Sequence, residues 1–164
     1  MSDNTEYVRI AAAVVLPNLG GFLGSFYTRK NIRTWYESLQ KPWWRPPNWV
    51  FGPMWTYLYS TMGYASYLVW KDGGGFDGAM VPLGLYGTSL ALNWIWSPIY
   101  FGYHKMGLAS GVIVAYLGVT GLTAYSFWSI NKTASYLLFP LMGWLSLASS
   151  ICIYTWQNNK EKSE

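Results

Sequence analysis

The residues with most chemistry to offer in this sequence are rings at helical spacing. Phe51 and Trp55 stand four apart, as do Trp96 and Tyr100, so each pair shares one face of a helix. Trp144, Ala148 and Ile151 fall at i, i+4 and i+7, again on one face. Asn93 precedes Trp96 by three residues and reads as the one carboxamide at depth. Such a set can pack ring on ring between helices. It can equally wall a cavity for a flat, ring-rich apolar ligand, held by stacking and one polar anchor. Conventional catalysis has less to build on, since no acid, base or metal constellation stands out. A lone Cys152 excludes a disulfide framework and a multi-cysteine metal site, and a lone His104 excludes zinc sites built on several histidines. No second axial ligand matches His104, which argues against haem ligation by the chain.

These rings must be positioned by membrane-spanning helices. Of 164 residues 11% are charged, against about 25% in soluble domains. So little charge cannot cover a water-soluble surface, and an apolar fraction of 52% excludes disorder. The net charge of +4 is too small and too scattered for a nucleic-acid groove. Five stretches carry no Asp, Glu, Lys or Arg: 10–28, 46–70, 78–104, 106–131 and 133–159, of 19, 25, 27, 26 and 27 residues. A helix crossing a bilayer needs about 20 mostly apolar residues. The gaps predict an all-α membrane protein, a five-transmembrane-helix bundle forming a single transmembrane domain over 1–164. Its spans are placed near 10–28, 47–70, 80–102, 107–129 and 134–157. A soluble bundle would carry charged helix faces, and a β-barrel would alternate over segments of about ten residues. No charge lies mid-span, unlike the interior of a proton relay or ion-coupled transporter.

Asp3 and Glu6 ahead of the first span argue against a cleaved signal, and residues 157–164 read as a frayed polar tail. With five spans, Arg9, Lys71 and Lys132 lie on one side of the membrane. Arg29, Lys30, Arg33, Lys41, Arg45, Lys105, Lys160 and Lys162 lie on the other. Eight against three predicts a cytosolic first loop and C-terminus. Trp35, Trp43, Trp44, Trp49 and Trp70 fall near span ends, where indoles anchor at the interface.

The loop KPWWRPPNW, residues 41–49, is stiffened by Pro42, Pro46 and Pro47 and carries Trp43. It reads as a lid over a site or as a purely structural cap. Pro47 is placed to open the second helix, and Pro53 to kink it or mark its real start. Gly73-Gly74-Gly75 reads as a turn, without the Lys-Ser/Thr ending of a phosphate loop. Gly20-x-x-x-Gly24 and Gly107-x-x-x-Gly111 allow close helix approach, either inside the bundle or at a dimer seam.

Three long blocks give the sequence a familiar look: WYESLQKPWWRPPNWVFGPMWTYLYSTMGYASYLVW at 35–70, PLGLYGTSLALNWIWSPIYFG at 82–102 and LLFPLMGWLSLASS at 137–150. With Leu16-Pro17-Asn18-Leu19-Gly20-Gly21 they resemble the translocator protein family, also called the tryptophan-rich sensory protein or peripheral benzodiazepine receptor family. The likeness covers about nine-tenths of the chain, in order, and is far more specific than one short pattern.

The resemblance implies a five-helix bundle, usually a homodimer, typical of the outer mitochondrial membrane in animals. It implies binding of cholesterol, of porphyrins or haem, and of synthetic drugs, with no cofactor required and no nucleic-acid partner. Carried over residue by residue, the ligand pocket is expected at Ser25, Phe51, Met54, Trp55, Asn93, Trp96, Trp144, Ala148 and Ile151. The family's sterol pattern is altered here, because Ile153 and Gln157 occupy its Tyr and Arg places; Tyr154 and Lys160 are the nearest substitutes. Leu108 stands where vertebrate relatives often carry Trp. Two further readings follow from the same likeness. One is light-driven porphyrin breakdown through Trp55 and Trp144, as linked to some bacterial relatives. The other is a structural role in a mitochondrial membrane complex.

Overall fold

Helices occupy every charge-free stretch in the computed structural model, which describes residues 3–32 and 34–160. In chain order they are α1 (Asp3–Ile32), a 3-10 turn (Tyr36–Ser38), α2 (Asn48–Asp72), α3 (Gly75–Gly78), α4 (Met80–Ser97), a π-helical turn (Pro98–Gly102), α5 (Met106–Trp128), α6 (Lys132–Leu137) and α7 (Phe139–Asn158). Among the described residues there is no strand. Three runs are long and apolar enough to cross a membrane: Asp3–Ile32, Met106–Trp128 and Lys132–Asn158. α2 and α4 interleave Trp, Tyr, Ser and Thr with their aliphatic residues.

Prolines set the irregularities. Pro47 is the N-cap of α2, so the helix starts there and Pro53 lies inside it without ending it. Pro98 has no N–H to return to Trp94, and the ladder slips to a wider turn in which Tyr103 N–H bonds Pro98 O at 2.9 Å. The predicted third span is thus α-helical only to Ser97. Pro140 likewise cannot bond Tyr136, and the predicted fifth span is broken at Leu138 into α6 and α7. Gly74 and Gly75 take left-handed φ of 87° and 79°, which only glycine adopts at little cost, and make the turn after α2.

α5 is central. Its Met106, Ile113, Tyr116, Thr120, Thr123 and Phe127 are buried, and it packs on α4, α6 and α7. α1 lies at the edge against α2. Of its described side chains only Pro17 is buried, while Tyr7, Val8, Leu16, Leu19 and Leu23 are exposed. The two helices touch at Gly63, where a Cβ would meet the Ala13 carbonyl oxygen and, at 2.9 Å, Val14 Cα. Gly20 and Gly24 face Trp94 and Ser97 of α4, and Gly107 faces Trp156, so these glycines serve packing inside the bundle. Gly111 faces open space.

The C-terminal segment corrects the expected frayed tail. α7 runs to Asn158, and Asn159 is only 6% exposed. Its Nδ2 donates to Thr155 O at 2.7 Å and to Gln40 O at 2.9 Å, while Gln40 N–H returns a bond to Asn159 Oδ1 at 2.9 Å. The polar side chain is held because it satisfies loop backbone that would otherwise lack partners. Arg33 and Lys162 of the charge count, and tail residues 161–164, lie outside the described residues.

Candidate functional site

The ring faces of α2, α4 and α7 converge on one cavity of about 660 Å³. α1 contributes Asn18, Gly21, Phe22, Ser25, Thr28, Arg29 and Ile32; α2 contributes Asn48, Phe51, Gly52, Trp55, Thr56 and Tyr59. Asn93, Trp96 and Ser97 come from α4, Tyr100 and Phe101 from the π turn, Ile113 and Tyr116 from α5. α7 supplies Trp144, Leu145, Ala148, Ile151 and Cys152. The wider turn after Pro98 matters here, because it brings both Tyr100 and Phe101 to the wall.

The rings meet mostly edge to face, which leaves faces available for a ligand. Trp144 stands edge-on to Phe51 at 5.4 Å and to Trp55 at 6.4 Å. Trp55 stacks on Tyr59 at 5.3 Å, and Trp96 on Tyr100 at 4.8 Å. The Tyr59 hydroxyl donates to Asn93 Oδ1 at 3.2 Å. Arg29 is the one charged residue of the described lining. Tyr36, in the 3-10 turn, closes the loop end of the cavity. Burial pushes its phenol above the ordinary range, partly offset by Arg45. Lys41 and Arg45 lie over its ring at 4.9 and 5.6 Å. Among the described residues no His, Cys, Asp and Glu gather as a metal site.

Of the predicted pocket residues, Ser25, Phe51, Trp55, Asn93, Trp96, Trp144, Ala148 and Ile151 line this cavity. Met54 does not. It packs half-buried against the core, because the lining face of α2 runs through Phe51, Trp55 and Tyr59 at intervals of four, and Met54 falls off that face. Asn18 is a second carboxamide at depth, bonded to Val14 O at 2.8 Å and Ser60 Oγ at 3.4 Å. Phe22 at i+4 and Ser25 at i+7 share its helix face and also line the cavity, a spacing that could have marked it in the sequence.

The proposed sterol and lid residues lie elsewhere. Tyr154 meets Trp44 edge-on at 5.2 Å, and Lys160 Nζ sits 5.6 Å from the Trp156 ring. Pro42 is buried, Pro46 half-buried, Pro47 caps α2, and Trp43 is 90% exposed. None of the four lines the cavity. The loop is instead fastened to α7, through Asn159 on Gln40 and through Trp44 Nε1 donating to Ser150 Oγ at 3.1 Å. His104 has a left-handed φ of 57°, bonds Asn31 Oδ1 at 3.2 Å and stacks on Trp35 at 4.0 Å, tying α1 to the α4–α5 connection. Tyr59 extends the spacing of Phe51 and Trp55 by another four residues, a signal that could have found it, whereas Tyr36, Tyr116 and Asn159 carry no pattern that separates them from the chain's other Tyr and Asn residues.

The sequence is similar to that of known proteins over most of its length. A sequence model of the TspO/MBR family matches residues 13–157. The translocator protein of Bos taurus is 45% identical over 155 residues, covering 94% of this chain and 92% of its own length. The translocator protein of Homo sapiens is 45% identical over 144 residues, with coverage of 87% and 85%. The tryptophan-rich protein TspO of Archaeoglobus fulgidus is 34% identical over 144 residues, with coverage of 88% and 92%.

Proposed function

The chain belongs to the TspO/MBR family and is an integral membrane protein, and from that premise we propose that its cavity receives cholesterol and porphyrin-type ligands, haem included. Synthetic benzodiazepine-receptor drugs would enter the same space, and the protein would serve sterol or tetrapyrrole transport. The observation that carries this is the ring-walled cavity of about 660 Å³ with Asn93 in its wall, a volume suited to a drug-sized flat ligand. The relatives are named translocator proteins, which supports binding and transfer over catalysis.

The finer membrane arrangement belongs to the same proposal. Five crossings would be made by α1, α2, α4 with its π turn, α5, and α6 with α7. The first loop and C-terminus would face the cytosol, most simply at the mitochondrial outer membrane, and the chain would form a homodimer. A C-terminal tag protected from protease on intact organelles refutes that orientation.

The function is tested by titrating protoporphyrin and cholesterol on one purified preparation, then illuminating the porphyrin complex. Quenching of tryptophan emission without bleaching of the porphyrin supports binding. Bleaching supports a light-dependent porphyrin-degrading enzyme, for which Trp55 and Trp144 line the cavity together. Absence of both supports a structural partner in a mitochondrial complex.

A further inference from the structure

Charge is spread unevenly around the cavity. The wall at Trp55, Tyr59, Asn93 and Tyr116 is neutral, and the described lining holds no carboxylate. At the loop end the surroundings turn cationic. Arg29, in the last turn of α1, lines the cavity and is exposed. No carboxylate among the described residues pairs with its guanidinium. Two more cations stand behind lining residues. Arg45 Nη1 donates to Asn48 Oδ1, and the Arg45 guanidinium lies 5.6 Å from the Tyr36 ring centre. Lys41 Nζ lies 4.9 Å from the same ring centre and donates to Tyr36 O at 2.9 Å. Those two are engaged with the loop, and neither lines the cavity. Glu37, the acidic residue of the 3-10 turn, is exposed and lies off the lining. Membrane orientation gives Arg29 a use as one basic residue among eight, but it does not require a place on the cavity wall.

We infer that Arg29 is an acid-recognition residue at the loop end of the cavity, pairing with a carboxylate on the ligand's rim, so that the site prefers ring-rich ligands with an ionised acid edge over equally flat neutral ones. The inference rests on the proposed ligand role of the cavity, and names the ligand chemistry that role selects. Rings along the neutral wall stack on any flat molecule. They do not choose which edge points inward. A guanidinium at one end does, because its planar fork meets a carboxylate with two parallel N–H···O bonds and keeps its charge at every working pH. Arg45 and Lys41 add attraction of the same sign nearby. A porphyrin carrying free carboxylates therefore sits with its acid edge at the loop and its ring plane among the indoles. A sterol, with no carboxylate, gains nothing from Arg29.

Protoporphyrin IX and its dimethyl ester test this, since the ester keeps the ring and removes both charges. Dissociation constants are read from quenching of tryptophan emission on the full chain in nonionic detergent at neutral pH. The native chain is compared with Arg29→Gln, Arg29→Lys and Lys132→Gln. Lys132, exposed beside Trp128 and off the cavity lining, is the control for net charge. The quantity that decides is the acid-to-ester affinity ratio relative to the native chain, in which partitioning of the probes into detergent cancels. Arg29→Gln should lower that ratio about two- to fivefold, the scale of an exposed ion pair, through the acid alone. Arg29→Lys should restore part of it, and added salt should shrink it in the native chain. Lys132→Gln should leave it in place. A ratio unchanged in Arg29→Gln overturns the inference and leaves the cavity reading standing. An equal fall in Lys132→Gln overturns it too, by showing general attraction to a basic protein. Failure of both porphyrins to bind the native chain removes the cavity reading and Arg29's role with it.

Discussion

The two halves of α2 show opposite designs within one helix. From Asn48 to Tyr57 no side chain is buried, and Phe51, Gly52, Trp55 and Thr56 border the cavity. Past Tyr59, the last residue of α2 on the cavity wall, the helix is sealed, with Met62, Gly63, Ala65, Ser66 and Val69 all buried. Close approach to α1 at Gly63 draws the sealed half together, and Glu6 of α1 bonds both Lys71 Nζ at 3.0 Å and Tyr67 at 2.9 Å. The open half is held apart by large rings, and the loop that leads into it is fastened to α7. A helix pair thus has a small-residue end that gives adhesion and an aromatic end that gives space.

The largest effect should come from the contact that seals. Gly63→Val puts side-chain atoms into the Ala13 backbone, which gives way less cheaply than a flexible side chain. Overpacking of that kind costs about 1–3 kcal/mol and occasionally more, so a large fall in thermal midpoint in detergent is expected. Gly52→Ala at the open end meets nothing within 4 Å and should shift stability by less than about 0.5 kcal/mol. Equal losses at the two sites would break the comparison.

Next in size is ligand affinity. Trp144→Ala should weaken porphyrin binding about five- to more than a hundredfold, on the scale of ring stacking at roughly 1–3 kcal/mol. Trp70→Phe, at the sealed end beside Arg9 at 4.9 Å, should leave affinity nearly unchanged. If both variants stay folded by thermal midpoint and lose affinity alike, the rings are a general scaffold.

The loop fastening should matter less to affinity than to kinetics. Asn159→Ala removes two bonds to Gln40, each worth about 0.5–1.5 kcal/mol net. Hydrogen exchange over residues 38–46 should rise, with faster ligand dissociation. Replacing Pro46 and Pro47 by Gly should act in the same direction by loosening the unbound loop. An unchanged off-rate in both would remove the loop from the ligand's path.

The smallest effect lies at the sealed end's ion pair. The hydrogen bond from Lys71, then that from Tyr67, holds the Glu6 carboxyl below its usual range. A lowered carboxyl contributes stability above its unfolded pKa, near about 4.3, and loses it as pH falls through the folded value. Lys71 is raised by the same pair, so that contribution also fades as pH climbs through the lysine range. Both groups are solvent-facing, so Glu6→Gln should lower the thermal midpoint only slightly at neutral pH, with the difference closing in acid.

Much of this protein is decided by its residues taken in order. Charge-free stretches near the length of a bilayer crossing require helices, because an unpaired backbone in lipid is too costly to keep. Rings spaced by three, four and seven choose which faces turn together, so Phe51, Trp55, Trp96 and Trp144 reach one cavity without any knowledge of the contacts. What periodicity does not carry is the meeting of elements distant in sequence. Tyr116 enters the cavity wall only because α5 is the central helix, with its Met106, Tyr116 and Phe127 all buried among neighbours. Asn159 is ordered only because Gln40 backbone, 119 residues away, needs its amide. Met54 leaves the site for the core by lying on the wrong side of α2. Sequence determines the helices and their apolar faces through local chemistry. The tertiary structure decides which polar groups find partners, since hydrogen bonding at depth depends on neighbours from other helices.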